Sequence, residues 1–277
     1  MKRKHKKGLT LATMRRTTAL AFLLLLVLGR HWENAFATGS LTSIDWFGIL
    51  HIVDPLAAIE NALATRSLNS DVLLGGGILV LLSAIFIGRA FCGWLCPLGL
   101  VLDLNDVLRR RKQRKRNQRV GPRSLKYWAL LFTVMLAVFA ALPIFQTISP
   151  INYVVWVAVF AFDAGMVNIV LGSLPLLALM AVEWISPRLW CRSLCPLGAF
   201  YSIVGRFGRW RIKISAISET PMMCGRCTRE CSMGIQVMEQ FVHHDQDAIR
   251  DPECTRCGDC ADICPQERLC EGLSMPV

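Results

Sequence analysis

The cysteines in the last quarter of the chain carry the clearest chemistry in the sequence. Residues 254–265 read Cys-Thr-Arg-Cys-Gly-Asp-Cys-Ala-Asp-Ile-Cys-Pro, which matches the spacing C-x2-C-x2-C-x3-C-P. In bacterial iron–sulfur proteins, the first three thiolates of this spacing surround one cluster and the fourth reaches the other cluster of a pair. Four thiolates also suit a zinc ion. The close repetition and the terminal Cys-Pro favour iron–sulfur clusters.

An upstream motif at residues 224–231 lacks one cysteine. Cys224, Cys227 and Cys231 fit the second, third and fourth positions, and the first position falls on Pro221. In such pairs the fourth cysteine of each motif binds the cluster of the other motif. One cluster would then have a complete set of four cysteine ligands, and the other would have a short set of three. The complete set is Cys254, Cys257, Cys260 and Cys231, and the short set is Cys224, Cys227 and Cys264. We expect two clusters of the [4Fe-4S] type. For the second, a [3Fe-4S] cluster, a non-cysteine ligand and completion by Cys270 all stay open.

Four further cysteines form an internal repeat. The segment Cys92-x3-Cys96-Pro-Leu-Gly recurs as Cys191-x3-Cys195-Pro-Leu-Gly, at a constant offset of 99 residues. On a regular helix the two sulfurs of one copy would share a face, and two copies can bring four thiols together. We interpret the repeat as a redox-active or cluster-binding site. The alternative is that small, soft side chains pack at a helix end before a turn.

The composition is that of a membrane protein with a polar tail. Apolar residues form 53% of the 277 residues and occur in long runs, and the mean hydropathy is +0.43. Closely spaced cysteines close disulfides poorly, which disfavours a secreted, disulfide-stapled chain. The net charge of +11 comes from basic blocks at 1–16 and 105–126, which adjoin apolar runs, whereas 214–277 is acidic. This pattern indicates cytoplasmic loops and contact with anionic lipid, and it disfavours nucleic acid as a partner.

The apolar runs predict four transmembrane helices as two parallel two-helix repeats. Base-poor loops at 33–71 and 148–166 lie outside, so both termini are expected in the cytoplasm. Both cysteine pairs then fall at the cytoplasmic ends of the second and fourth spans. The first run is either a retained helix, which we favour, or a signal-peptide core. The predicted spans are residues 17–32, 73–89, 127–145 and 167–185.

The predicted fold is therefore an all-α membrane protein with a small C-terminal ferredoxin-like iron–sulfur module. We divide it into a basic cytoplasmic arm (1–16), a four-helix membrane domain (17–213) and the ferredoxin-like [4Fe-4S] domain (214–277). In a bacterium this predicts a multi-pass protein of the inner membrane.

The paired Cys-x3-Cys-Pro-Leu motifs, the Arg-rich loop after the first of them and the terminal cysteine motifs resemble the NapH/MauN family of ferredoxin-type membrane proteins. The resemblance covers nearly the whole chain. It implies a quinol dehydrogenase component that takes electrons from membrane quinol. It further implies an iron–sulfur partner such as NapG and a periplasmic reductase, in this branch nitrate reductase. The chain departs from the family pattern at Pro221.

Ionisable residues in apolar surroundings are weaker catalytic candidates, beside the four repeat cysteines. Glu183 lies in the fourth predicted span, where a carboxylate is costly, although it can also reach the interface. His51 and Asp54 in the outer loop are candidate proton acceptors, because quinol oxidation releases two protons with two electrons. An isolated loop His or Asp is more often a plain surface residue. Two other functions stay open: an iron–sulfur copper reductase or maturation factor, and a redox-sensing membrane anchor.

Overall fold

The structure is a computed structural model in which helices predominate. It describes residues 11–31, 37–40, 43–46, 50–66, 78, 88–110, 122–141, 145, 148–160, 166–208, 210–214, 224–244, 246–265 and 269–274. The predicted second span lies outside the described residues except for Ile78, Gly88 and Arg89.

We call the region that precedes the C-terminal module, residues 11–208, the membrane part, after the spans predicted in it. Its helices follow the apolar runs. Among the described residues, the segment Leu11–Leu28 is long and apolar enough to cross a membrane, and Leu125–Ala140 and Ser173–Trp184 are apolar but shorter. The described helices are α1 (Leu11–His31), α2 (Pro55–Thr65), α3 (Ala90–Trp94), α4 (Pro97–Arg110), α5 (Leu125–Ala140), α6 (Pro150–Phe160), α7 (Met166–Ile185), a π-helical turn (Trp190–Leu194) and α8 (Pro196–Val204).

The first helix begins earlier than the apolar run does. Helix α1 starts at Leu11, inside the range expected as a basic arm, and its 21 residues span about 30 Å. It therefore includes Arg15 and Arg16. Arg15 is buried in an ion-pair cluster instead of lying in solvent.

Two short helices enter the core from the predicted outer loops. Helices α2 and α6 are each 11 residues long, begin with proline and are 95 residues apart. Helix α2 packs on α5, and α6 packs on α7, α1 and α4. In α2 the Asp54 side chain accepts a hydrogen bond from the Leu56 N–H at 3.1 Å, and Pro55 fills the first helical position. The internal repeat therefore extends beyond the cysteines to this pair of helices.

Two small antiparallel sheets depart from the predicted all-α fold. In the first outer loop β1 (Ala37–Ser40), β2 (Ser43–Trp46) and β3 (Leu50–Val53) pair in chain order. In the tail β4 (Arg211–Ile214) pairs with β5 (Leu269–Ser274) across the two ends of the C-terminal module, residues 211–274. The prediction was wrong on these strands, since strands of four to six residues contain too few side-chain alternations to be recognised.

Each part of the molecule has its own hydrophobic core, and cysteines belong to both. Cys96 and Cys195 lie in the core of the membrane part with Leu56, Leu98 and Tyr201. The module, which also contains α9 (Arg226–Glu230), a π-helical turn (Met238–Val242) and α10 (Asp259–Asp262), packs its cluster cysteines against a second core. The two sets of cysteines are thus positioned by separate cores that meet at one interface.

Candidate iron–sulfur and thiol sites

The four cysteines of the predicted complete set line one cavity in the module, which we call the cluster cavity. Left-handed backbone at Arg256 (φ 55°) and Gly258 (φ 79°) bends the chain between its cysteines. Apolar side chains, including Ile212, Ile235 and Val237, complete the wall and exclude water from the sulfurs. The cysteines that line the cavity are Cys231, Cys254, Cys257 and Cys260. The thiol donors and the dry lining fit an iron–sulfur cluster.

Burial makes these thiols weak acids until a metal binds them. It raises the pKa of Cys254 to about 12 and also raises the pKa values of Cys257 and Cys260. Cluster binding would therefore displace protons from neutral thiols. The positive charge of Arg15 acts on Cys257, and that of Arg256 on Cys254. Such cations compensate the negative charge of thiolate ligands and influence the potential of a bound cluster.

The short set is also gathered in the module. Burial raises the pKa of Cys227 to about 11, and the neighbouring thiolates of Cys264 and Cys224 add to this effect. Pro221 and the side chain of Cys270 lie outside the described residues, so completion of this set stays a prediction. Within the described part of the chain, no three His, Cys, Asp or Glu side chains are grouped closely enough to hold a single metal ion.

The two Cys-x3-Cys-Pro motifs meet in the membrane part. Cys92, Cys96, Cys191 and Cys195 line a second cavity, which we call the four-thiol cavity. The expected shared helix face is absent, because each motif closes with a five-residue turn. The N–H of Cys96 bonds to the carbonyl of Phe91 at 3.1 Å, and that of Cys195 to Trp190 at 2.8 Å. Turns of this π type are frequent at functional sites.

The second cysteine of each motif stands directly before a helix that begins with proline. For α8, the Gly198 N–H donates to Cys195 Sγ at 3.3 Å, with Pro196 at the first helical position. Cys96 precedes Pro97 of α4 in the same way. The Cys-Pro-Leu-Gly sequence is thus a helix cap in which sulfur is the acceptor.

The two cavities share a wall. Met233 and Thr255 line both of them. The loop that carries Cys254 lies against the first motif, where the Trp94 Nε1–H donates to the carbonyl of Arg256 at 3.1 Å. A Cβ atom on Gly93 would stand only 2.7 Å from the carbonyl oxygen of Thr255, so this contact requires glycine. The second motif has Arg192 at the corresponding position.

Buried ion pairs hold the module on the membrane part. Arg89 and Arg188 each precede the first cysteine of a motif by three residues. Arg89 pairs with Glu253, the residue before Cys254, and also donates to the carbonyl of Cys191 at 2.7 Å. Arg188 pairs with Asp103. Arg89 thereby connects both repeats to the loop of the complete set.

The Glu253 carboxylate is fully hydrogen-bonded in this interface. Besides Arg89 it pairs with Lys126, and it accepts hydrogen bonds from the Ser202 hydroxyl at 2.9 Å and the Tyr127 hydroxyl at 3.2 Å. Burial opposes ionisation, but the charges of Arg89 and Lys126 lower the pKa of Glu253 to about 2. Sequence analysis missed these residues. The offset of 99 residues, which Arg89 and Arg188 share with the cysteines, was the available signal.

A second ion-pair cluster joins α1 to the module. Arg15 pairs with Asp103 and, at 3.4 Å, with Asp259, the residue before Cys260. Lys126 and Arg123 come from the basic block at 105–126. Arg123 donates to the carbonyl of Gly234 at 2.8 Å. These two bases therefore contact the module, and the side chains of 107–121, where lipid contact was predicted, lie outside the described part.

The weaker candidates have different surroundings. Glu183 is only 2% exposed and accepts hydrogen bonds from the N–H groups of Leu189 (3.2 Å) and Trp190 (2.8 Å), so it fixes the start of the second motif. His51 lies in β3, and its side chain lies outside the described residues. Asp54 is close enough to the four-thiol cavity for its charge to act on Cys92 and Cys195.

Comparisons with known proteins agree with an iron–sulfur electron-transfer protein. The family model described as a 4Fe-4S binding domain matches residues 71–116 and 169–215, and the model described as a 4Fe-4S dicluster domain matches residues 222–269. The first covers both Cys-x3-Cys-Pro motifs and the second covers the module. No solved structure matches the chain.

Curated relatives define the family. The ferredoxin-type protein MauN of Methylobacillus flagellatus, named for methylamine utilization, is 33% identical over 70% of this chain and 66% of its own length. The ferredoxin-type protein NapH of Haemophilus influenzae is 26% identical over 91% of this chain and 86% of its own length. The putative electron transport protein YccM of Escherichia coli is 30% identical over 85% of this chain and 67% of its own length. The chain belongs to the NapH/MauN family of ferredoxin-type proteins.

Proposed function

We propose that this protein oxidises quinol in the bacterial inner membrane and passes the electrons, one at a time, to a partner redox protein. The observation that carries the proposal is the shared wall of Met233 and Thr255 between the two sulfur cavities. This wall makes the two sulfur-lined cavities neighbours, which supports a route for electron transfer between them. The module is expected in the cytoplasm, together with both termini of a four-span chain.

The residues of the chain have separate tasks in this function. Two clusters held by the cysteines of the complete and short sets would supply one-electron storage. Arg15 and Arg256 compensate ligand charge, and the ion pairs of Arg89 fix the distance between the cavities. Apolar side chains around the cluster cavity exclude water. The repeat cysteines would connect quinol to this route.

The similarity to relatives named NapH supports a partner proposal. A two-electron donor and one-electron carriers require a redox partner that accepts electrons repeatedly. We propose an iron–sulfur partner protein of the NapG type, which delivers electrons to a periplasmic reductase such as nitrate reductase. A periplasmic acceptor requires electrons to cross the membrane. In this proposal the four cysteines that line the four-thiol cavity would provide that path.

The test is anaerobic purification of the full chain in detergent, with iron and sulfide determined and visible and electron paramagnetic resonance spectra recorded. We expect cluster spectra that a menaquinol analogue reduces. Single changes of Cys92, Cys96, Cys191 and Cys195 to serine should slow this reduction at least tenfold, whereas reduction by dithionite continues. Absence of cluster signals, or clusters that dithionite reduces and quinol does not, would remove the proposal.

A further inference from the structure

We propose that Asp54 and Glu60 carry the protons of quinol oxidation away from the four-thiol cavity toward the outer side of the membrane. This inference rests on the proposed function and assigns residues to its proton branch. Both residues belong to α2 and its cap, the short helix that enters the core from the outer loop.

Glu60 is a buried carboxylate with an incomplete set of hydrogen bonds. Its side chain is fully buried, and Oε1 accepts a hydrogen bond from the Phe145 N–H at 3.4 Å. Within the described part of the chain, Oε2 has no hydrogen-bond partner. A buried polar atom without a partner is costly, and an ionisable group in an apolar region marks a functional site by default.

Asp54 stands at the other end of the same path. It caps the start of α2 by accepting a hydrogen bond from the Leu56 N–H, and Leu56 packs in the same core cluster as Cys96, Cys195 and Tyr201. Six residues of helix place Glu60 about 9 Å further along the axis. Phe145, its neighbour, follows the end of α5 that faces the outer loop. The two carboxylates therefore lie at successive depths, one beside the thiols and one nearer the outer side.

The path exists in one repeat only. The corresponding helix α6 is preceded by Ser149 in place of Asp54, and residues 150–160 contain no acid. Ile151 near the start of α6 lines the four-thiol cavity. Leu56 near the start of α2 packs in the same core cluster as Ile151, Cys96 and Cys195. Helix α6 packs in the core although it has no carboxylate. The carboxylates of Asp54 and Glu60 are therefore not needed for a helix of this kind to pack.

Oxidation of one quinol would release two electrons, which clusters held by the module cysteines would accept, and two protons, one from each O–H bond that breaks. The Asp54 carboxylate takes the proton and passes it through water to Glu60, which releases it outside and frees the path for the second proton. Burial raises the pKa values of Asp54 and Glu60 to about 7, so that both groups gain and lose protons near neutral pH.

The test uses the full chain in liposomes with a menaquinol analogue. Asp54→Ser removes the carboxylate but keeps a hydroxyl of a type that commonly caps helices, and serine is the residue at this position, Ser149, in the second repeat. Glu60→Gln removes the other carboxylate at equal size. We expect each to slow quinol-driven cluster reduction at least tenfold, with an unchanged dithionite-reduced spectrum. Asp247→Asn is the control, because that side chain is 94% exposed.

Each outcome bears on one hypothesis. If Asp54→Ser and Glu60→Gln reduce their clusters within twofold of the Asp247→Asn rate, the proton path is overturned and quinol oxidation stands. Glu60→Asp, which retains a carboxylate, should recover the rate to within about threefold of the unchanged protein. If it stays as slow as Glu60→Gln with clusters intact, the loss comes from packing and the path is overturned. If quinol fails to reduce the unchanged protein, the proposed function itself fails.

Discussion

Glu253 is the residue on which the interface between the two parts depends. One carboxylate neutralises two buried cations: Arg89, which directly precedes α3, and Lys126, which lies in α5. Because Glu253 directly precedes Cys254, its ion pairs also hold in place the loop that carries the cysteines of the complete set.

Replacing Glu253 with Gln should destabilise the protein by about 3–5 kcal/mol, because it leaves buried charges without compensation. Thermal and denaturant unfolding in detergent measures the change. Adding Lys126→Met should recover part of the loss, since it removes one of the orphaned charges. Asp247→Asn, which affects an exposed pair, should leave the midpoint unchanged. Equal stability of Glu253→Gln and the unchanged protein would contradict the assigned role.

At the residue scale, the cysteines were predictable and their ion-pair supports were not. The spacing of Cys254, Cys257 and Cys260 is local in sequence and is imposed by cluster geometry. By contrast, Arg89 and Glu253 are 164 residues apart, and no local pattern joins them. An arginine before a motif is expected at a cytoplasmic helix end, so its burial could not be recognised from composition.

At the scale of elements, the first Cys-x3-Cys-Pro motif is a docking surface as well as a thiol site. Gly93 lets the carbonyl of Thr255 approach the motif, and Trp94 binds the next carbonyl. The second motif cannot dock a loop in this way, because Arg192 occupies the position. Its guanidinium instead fills the space beside Gly234, whose φ is +64°.

Gly93→Ala should loosen the contact between the first motif and the ligand loop. The new methyl group would press on a backbone oxygen, which costs about 1–3 kcal/mol. Hydrogen–deuterium exchange of peptides covering 252–258 should become faster. Gly225→Ala is the control: a Cβ atom there meets nothing within 4 Å, although the positive φ of 57° adds strain. Unchanged exchange in Gly93→Ala would contradict the close contact.

Element lengths explain what hydropathy could identify. A helix, α7 (Met166–Ile185), covers the segment predicted as the fourth span, 167–185, and its apolar stretch is Ser173–Trp184. Helices α2 and α6 have only 11 residues each, which is too short to cross a membrane, so length and periodicity could not place them in the core. The π-type turns of the motifs were also invisible, because a Cys-x3-Cys spacing fits a regular helix equally well.

At the scale of the whole molecule, two similar halves perform different tasks. Both contribute a buried arginine, two thiols and a short helix from a loop that was predicted to lie outside. The first half contacts the ligand loop through Gly93 and carries the carboxylates Asp54 and Glu60. The second half supplies Arg192 and an acid-free helix. In the proposed function, electrons leave the four-thiol cavity toward the module and protons leave it along α2.

This arrangement predicts the topology of the chain. A green fluorescent protein fused after Val277 should fluoresce, because it folds in the cytoplasm. Alkaline phosphatase inserted after Arg66, at the exposed end of α2, should be active, because it requires the periplasm. Phosphatase fused after Val277 is the matched control and should be inactive. The reverse pattern would place the module outside and would contradict the proposed separation of protons and electrons.

The contact of α1 with the last cysteine motif sets an order for assembly. Leu11 lies over Gly258, the Ala12 N–H donates to the Asp262 carboxylate at 3.3 Å, and Arg15 reaches Asp259. Once these contacts form, Cys257 and Cys260 are buried and iron carriers have no access to them. Helix α1 thus covers the last cysteine motif, which lies more than 240 residues further along the chain. We therefore expect metal loading of this motif to precede the docking of α1.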